Sequence, residues 1–232
     1  MYFSLITPTP GMERDAALEW TKGSYEQHQW LWQFLPEDAT AQRDFLFRRR
    51  DGENNTPGFY MLSKREITAV SPAWQVQSKP FNPQLVEGQT LAFELRANPV
   101  ISHTVDGKSR RDDVVMHKKR QLLAERNLKR WTDWDDACPE KPSLYELVQD
   151  SCTIWLARRA EKCGFKLVDS ENKLSVNGYL QQRGDKKDIR FTTVDFSGLL
   201  QVVDPVLFEQ SLFNGIGKAK AFGCGLMLIR RV

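Results

Sequence analysis

The sequence has no long apolar run, and this shortage excludes one class of protein. Its mean hydropathy is −0.51, and no segment is apolar for long enough to form a membrane-spanning helix. The first residues, MYFSLITPTPG, lack the basic region and the longer apolar stretch of a signal peptide. We therefore expect a cytoplasmic protein with no membrane partner.

Histidine and cysteine are also scarce. The chain has three histidines and four cysteines, none of the cysteines forms a C-x-x-C pair, and no familiar zinc spacing can be drawn. The cysteines fit reduced thiols of a cytoplasmic protein. The sequence predicts neither a metal site nor a small-molecule cofactor. The residues concerned are His28, His103, His117, Cys138, Cys152, Cys163 and Cys224.

Positive charge is concentrated in one segment. The net charge is only +3, but residues 108–130 hold nine Lys or Arg against three acids. Such a local excess predicts a surface that faces phosphates, with Lys118, Lys119 and Arg120 as candidate contacts. A solvated helix face is an equally good reading of charge alone. Arg48 and Arg50, at the end of a predicted strand, are further candidates, with a solvated strand end as the alternative.

The order of predicted elements repeats in the two halves of the chain. Each half has the order strand, helix, two strands, helix, strand, which is typical of a ferredoxin-like, RRM-like unit. The first half includes a helix from Ser24 to Leu35 and a short helix around residues 64–70. The sequence therefore predicts an α+β fold of two tandem ferredoxin-like domains. The predicted boundaries are a first domain at 1–78, a linker at 79–89, and a second domain at 90–232 with a basic insertion at about 101–142 that contains one helix.

The carboxy-terminal segment 215–225, GIGKAKAFGCG, is the strongest local motif. Glycines let backbone amides approach an anion, and lysines add charge. A dinucleotide fingerprint needs a further helix and strand, and a Walker A loop needs Ser or Thr where Ala219 stands, so an RNA backbone is the favoured ligand. A turn that only closes the domain is the alternative. The candidate RNA-binding residues are Gly215, Gly217, Lys218, Lys220, Gly223 and Gly225.

Tyr25 and His28 lie three residues apart on the predicted helix and project in neighbouring directions. A histidine near a helix start and a phosphate can titrate near neutral pH, as proton transfer requires. RNA supplies its own nucleophile, the 2′-hydroxyl, so one histidine and one phenol would suffice without a metal. On the helical wheel alone, His28 fits a histidine at the edge of the core somewhat better.

Four stretches together resemble the CasE family, the repeat-processing endoribonucleases of type I-E CRISPR systems. These stretches are residues 25–32, 43–47, 95–99 and 215–226. The resemblance implies a CRISPR RNA hairpin bound across two ferredoxin-like domains. It implies metal-independent cleavage at the 3′ base of the stem, which leaves a 5′-hydroxyl and a 2′,3′-cyclic phosphate.

The resemblance also implies roles for individual residues. The family's catalytic histidine and tyrosine map onto His28 and Tyr25, and its glycine-rich loop maps onto residues 215–225. The family enzyme keeps its product and becomes the hairpin-capping subunit of the Cascade complex, so other Cascade subunits are expected partners. The alternative function is a non-catalytic RNA-binding or scaffolding subunit, in which His28 would be structural.

Overall fold

The computed structural model describes residues 1–20, 24–36, 44–51, 56–105, 107–168, 174–183 and 190–232. Two larger antiparallel sheets form in succession along the chain, together with one two-stranded sheet. No helix within these ranges combines the length and the apolar character that crossing a bilayer requires.

The first sheet is built from the first 80 residues. Its elements are β1 (Tyr2–Pro8), α1 (Glu13–Trp20), α2 (Ser24–Trp32), β2 (Phe45–Asp51), β3 (Pro57–Ser63) and β4 (Trp74–Pro80). The strand order β2-β3-β1-β4, with every neighbouring pair antiparallel, is that of a ferredoxin-like unit. An aromatic core that includes Trp30, Phe34, Phe59 and Trp74 fills the space between the helices and this sheet.

The predicted helix around residues 64–70 is wrong. The segment between β3 and β4 is irregular, although Ile67 is only 3% exposed and belongs to the core. The Thr68 amide donates to the Phe34 carbonyl oxygen instead of to a helical partner. Ser71 precedes Pro72, and a residue before proline disfavours the helical conformation, so a short segment has no room for a helix here.

The second sheet follows the same plan. Its elements are β5 (Thr90–Ala97), α4 (Leu144–Lys162), β8 (Phe165–Leu167), β9 (Ser175–Arg183), β10 (Arg190–Val202), α5 (Pro205–Asn214) and β11 (Met227–Arg231). The order β11-β5-β10-β8, with β9 also paired to β10, repeats the ferredoxin-like order of the first sheet. The fold is therefore two tandem ferredoxin-like domains, as predicted.

The basic insertion contains a β-hairpin that the sequence reading missed. The hairpin is formed by β6 (Val100–Val105) and β7 (Lys108–Asp113), and it leads directly into α3 (Val114–Glu125). Asp113 caps this helix by accepting from the amides of Val115 and Met116. The sequence predicts a helix from about Val114 to Trp131, but α3 ends at Glu125, because Asn127 has φ +54°, a left-handed conformation that commonly ends a helix.

A small apolar cluster joins the two domains. Leu46 and Leu62 of the first sheet meet Leu226, which immediately precedes β11. All three side chains are at most 3% exposed. Burying them together holds the carboxy-terminal segment against the back of the first sheet.

Candidate functional site

His28 lies on α2 at the edge of an aromatic group. Its ring stacks on Phe45 with centroids 5.1 Å apart, and Phe47 and Trp32 lie 6.3 and 6.2 Å away. The residue is half-buried, and its Nε2 atom is shielded from solvent. The imidazole is therefore held in a fixed orientation at a border of the core, as a proton-transfer group requires.

Tyr25 is also part of α2. Its side chain lies outside the described part of the chain, so its expected position beside His28 stays a prediction. Both residues belong to α2, at positions three apart in the sequence.

The glycine-rich segment passes close to this helix. After α5 the chain forms a short 3-10 turn, Lys220–Phe222, which packs against α2 and β2. A Cβ atom on Gly223 would lie 3.2 Å from the Phe47 ring, which is also a neighbour of His28. The fold thus brings together the helix and the glycine segment, although about 190 residues of sequence separate them.

The glycines serve mainly to let this segment turn and pack. Gly215, Gly217, Gly223 and Gly225 all have positive φ angles. A Cβ on Gly215 would lie 2.8 Å from a Leu46 methyl carbon.

The sequence predicts that backbone amides of this segment face an anion, and this expectation needs correction at three of the four glycines. The Gly215 amide donates to the Ser211 carbonyl oxygen, the Gly223 amide to Lys220 and the Gly225 amide to Arg96. These amides are occupied by protein carbonyls and are not offered to a phosphate. The segment's lysines, rather than these three N–H groups, are therefore the remaining candidates for contact with an anion.

Two predicted RNA-binding segments meet in one groove. Lys118 of α3 and Lys218 of the glycine-rich segment line the same cavity of about 780 Å³. Helix α4 supplies three further cations to it, Arg158, Arg159 and Lys162. We call these five residues and the cavity that they line the basic groove.

The groove has a net positive lining. Five Lys or Arg residues face it, against the acids Glu140 and Asp150. Arg159 stacks over Trp155 at 3.9 Å from the ring centre, and burial lowers the pKa of its guanidinium, which still stays charged. Such a groove is suited to the phosphates of a nucleic acid.

The three cations of α4 are functional candidates that the sequence reading missed. Arg158, Arg159 and Lys162 lie in the last turns of the helix, where basic residues are also favoured by the helix dipole. Because the helix dipole accounts for basic residues at this end of α4, their common position along one side of the helix was not recognised as a binding signal. Their spacing of three to four residues along α4 is the signal that could have found them.

Arg48 is corrected to a structural role. Its guanidinium lies 3.3 Å from a Glu94 oxygen and 3.7 Å from an Asp195 oxygen, and the side chain is 13% exposed. Burial lowers its pKa, and Asp195 opposes that shift. Arg96 holds the same Asp195 carboxylate by two hydrogen bonds of 2.9 and 2.8 Å. Arg48 therefore ties β2 of the first domain to the second sheet and is not offered to RNA.

The remaining candidates have mixed surroundings. Arg50 is exposed and donates to the Tyr60 hydroxyl at 2.8 Å. Lys119 lies 4.9 Å from the centre of the Trp131 ring, and Arg120 pairs with Asp112. Lys220 donates to the Asn214 carbonyl oxygen at 2.6 Å. Of the predicted cations, Lys118 and Lys218 are the exposed pair that the fold places in one groove.

Comparison with known proteins extends over nearly the whole chain. A family model described as CRISPR associated protein matches residues 1–231. The chain is 30% identical to the CRISPR system Cascade subunit CasE of Escherichia coli, over 91% of this chain and 94% of that protein. It is 26% identical to the CRISPR-associated endoribonuclease Cse3 of Thermus thermophilus, over 88% of this chain and 89% of that protein.

Solved structures agree with the fold. Thermus thermophilus Cse3 bound to an RNA that represents a pre-cleavage complex superposes with a TM-score of 0.70 at 25% identity, over 99% of this chain and 98% of that one. Cas6e from Escherichia coli superposes with a TM-score of 0.61 at 21% identity, over the full length of both chains. The second likeness concerns the fold alone.

Proposed function

The chain belongs to the CRISPR-associated protein family and groups within it with CasE, and from that premise we propose that it processes CRISPR repeat RNA. The proposed reaction is cleavage of the precursor at the 3′ base of the repeat stem-loop. One observation carries the proposal: α2, with His28, packs against the segment whose Lys218 lines the basic groove. The glycine-rich segment thus links the proposed RNA-binding groove to the helix that carries the imidazole.

The proposed chemistry uses the RNA's own nucleophile. The 2′-hydroxyl attacks the adjacent phosphorus, the bond to the 5′-oxygen breaks, and a 2′,3′-cyclic phosphate and a 5′-hydroxyl result. His28 moves one of the two protons, either from the 2′-hydroxyl or to the departing 5′-oxygen, and water exchanges the other. Tyr25 orients or stabilises the reacting group, and cations around the scissile phosphate stabilise its added negative charge. No metal takes part in these steps.

Product retention is the second part of the proposal. The relatives include a protein named as a Cascade subunit and an endoribonuclease solved with bound RNA. We infer that this chain keeps the cleaved hairpin in the basic groove and joins other Cascade subunits through the retained RNA. From its substrate and its reduced cysteines we also infer that it works in the cytoplasm.

The cleavage assay uses the repeat RNA of the same genome. With excess EDTA, we expect cutting to continue and to give 5′-hydroxyl and cyclic phosphate ends. A 2′-deoxy substitution at the scissile ribose should abolish cutting while the hairpin still binds. Loss of cutting in EDTA contradicts the metal-free reaction, and cutting of the deoxy substrate contradicts attack by the 2′-hydroxyl.

A second candidate function is a subunit that binds the hairpin without cutting it. The shielding of His28 Nε2 from solvent favours this alternative, because a proton-transfer atom must reach the substrate. Catalytic contacts often form only in the substrate complex, so the shielding does not exclude cleavage. An RNA hairpin that binds tightly and stays intact for hours would establish the alternative.

A further inference from the structure

The β6–β7 hairpin and α3 bring together three metal-binding side chains outside the proposed reaction site. His103 lies on β6, Asp112 on β7 and His117 on α3. In the hairpin register, His103 pairs with Arg110 and Ile101 pairs with Asp112, so His103 and Asp112 share one face. The ligand atoms of the three residues all lie within 4.8 Å of one another.

One of the distances between these atoms matches the spacing of ligands around a tetrahedral ion. His103 Nε2 lies 3.3 Å from Asp112 Oδ2. Zinc binds imidazole nitrogen and carboxylate oxygen at about 2.0–2.2 Å, which sets roughly 3.3–3.6 Å between two ligands of a tetrahedron. The rings of His103 and His117 are 5.7 Å apart, and the His117 ligand atom lies within 4.8 Å of the other two, so His117 has to move closer when an ion binds.

The surroundings are those of a partly enclosed site. All three residues are half-buried, and they line a cavity of about 390 Å³ that Arg110, Arg120 and Gln121 also line. Nδ1 of His103 is buried and has no hydrogen-bond partner among the described residues. Nδ1 is the ring nitrogen that does not face Asp112, so it is not itself a ligand of the ion, and a buried polar atom without a partner costs stability.

We propose that His103, Asp112 and His117 bind a divalent transition-metal ion with the preferences of Zn²⁺. Two neutral imidazoles and one carboxylate are a common three-ligand set for zinc, and the cavity leaves the fourth position to solvent. The site lies in the basic insertion, where the spacing of histidines and cysteines along the sequence predicts no metal. It was hidden because the ligands come from two strands and a helix that only the fold brings together.

Arg120 is the natural competitor of the ion. Its guanidinium pairs with the same Asp112 oxygen that faces His103. The Arg120 side chain is 58% exposed, so it can withdraw into solvent when a metal binds. The ion thus fixes the hairpin to α3 and releases the Arg120 charge at the surface of the insertion.

The test is a Zn²⁺ titration of the metal-stripped full chain by calorimetry. We expect one tight Zn²⁺ site per chain. His117→Ala and His103→Gln should each bind Zn²⁺ at least about 100-fold more weakly than the wild type. Loss of a residue that only hydrogen-bonds to a ligand typically weakens metal binding by roughly 10–100-fold. The matched control is Gln121→Ala, which removes a cavity-lining side chain one turn from His117 and should keep the affinity. Arg120→Ala should bind Zn²⁺ roughly two- to fivefold more tightly, in line with the small free energy of an exposed ion pair.

Several outcomes would overturn the proposal. Equal affinity in the wild type and His117→Ala would place the ion elsewhere, and weaker binding in Arg120→Ala would contradict the competition. Saturable binding of inorganic phosphate with no binding of Zn²⁺ would make the cluster an anion site. If the histidine variants fail to fold, NMR of the wild-type protein provides the test. Zn²⁺ must then shift the imidazole C–H resonances of His103 and His117. RNA cleavage in EDTA tests the proposed function separately, so either proposal can fail alone.

Discussion

The imidazole of His28 stacks on the Phe45 ring, with 5.1 Å between the centroids and 20° between the planes. The contact joins helix α2 to strand β2, the next strand along the chain. A flat aromatic neighbour constrains the plane of the imidazole through contact with its face. Proton transfer and packing can therefore be separated by substitution at this one position.

We predict that His28→Ala and His28→Phe both lower the rate of repeat cleavage by at least about 100-fold, because each removes the proton-transfer group. Hairpin affinity should stay within about twofold of the wild type. Phe keeps a ring against Phe45, so this variant should also keep the melting temperature that Ala lowers. Single-turnover cleavage, RNA binding and thermal melting give the three measurements. Wild-type cleavage by His28→Phe would assign the reaction to another residue.

Gly215 tests the role of the glycine-rich segment in packing. Its φ is +75°, and a Cβ would lie 2.8 Å from Leu46. We predict that Gly215→Ala lowers the free energy of unfolding by about 2–4 kcal/mol, from backbone strain and overpacking together. Gly88 has φ +79° and no atom within 4 Å of the added carbon, so Gly88→Ala should cost only about 1 kcal/mol. Urea unfolding measures the free energy of unfolding of both variants. Equal losses would contradict the close contact between residue 215 and Leu46.

Much of the fold can be read from the sequence because its signals are local. Alternating apolar residues and turn residues predict β2 and β3, and the Ser143 capping box and the Asp204–Pro205 start predict α4 and α5. The β6–β7 hairpin was missed because all six residues of β7 are polar, so the strand shows no alternation of apolar and polar residues. The dipeptide Asp106–Gly107 is a strong hairpin signal and would have indicated it.

The site is harder to predict because it depends on contacts between distant segments. No periodicity shows that the turn at Lys220–Phe222 packs against α2, or that Lys118 and Lys218 share a groove. Arg48 illustrates the opposite error. Its place at a strand end indicates a solvated or RNA-facing residue, whereas the second domain covers it with two carboxylates.

The domain interface gives a prediction for Arg48. Removing this guanidinium by Arg48→Ala leaves Asp195 paired with Arg96 and Glu94 largely exposed. The expected loss is therefore about 1–3 kcal/mol of unfolding free energy, below the 3–5 kcal/mol typical when a fully buried pair is broken. Arg50→Ala is the control, because its contact with Tyr60 is exposed and should contribute less than about 1 kcal/mol. Urea unfolding tests both, and a loss of hairpin affinity in Arg48→Ala without a loss of stability would restore its role in RNA binding.

Thiol chemistry tests the burial of the two domain-core cysteines. Burial raises the pKa of Cys152 to about 12 and that of Cys224 to about 12. Only the thiolate is alkylated, and at pH 8 roughly 10⁻⁴ of such a thiol is ionised. Iodoacetamide should therefore label the half-buried Cys138 and Cys163 in the native protein and spare the other two. All four should react in urea. Peptide mass spectrometry reads the pattern, and rapid native labelling of Cys224 would contradict the packing of the glycine-rich segment.

Salt dependence tests the basic groove. Lys118 and Lys218 are exposed and reach it from two separate segments. If each lysine contacts one phosphate, Lys118→Ala and Lys218→Ala should each weaken hairpin binding for any stem sequence and reduce the slope of log affinity against log salt by about 0.7–0.9. The double variant should lose about twice that slope.

Lys64, an exposed lysine of the first domain outside the groove, is the matched control, and Lys64→Ala should leave the slope unchanged. Filter binding measures these slopes between about 50 and 300 mM salt, the range over which phosphate contacts are measurable. An unchanged slope in both groove variants would mean that the RNA follows another face of the protein, because a phosphate contact cannot be removed without reducing counterion release.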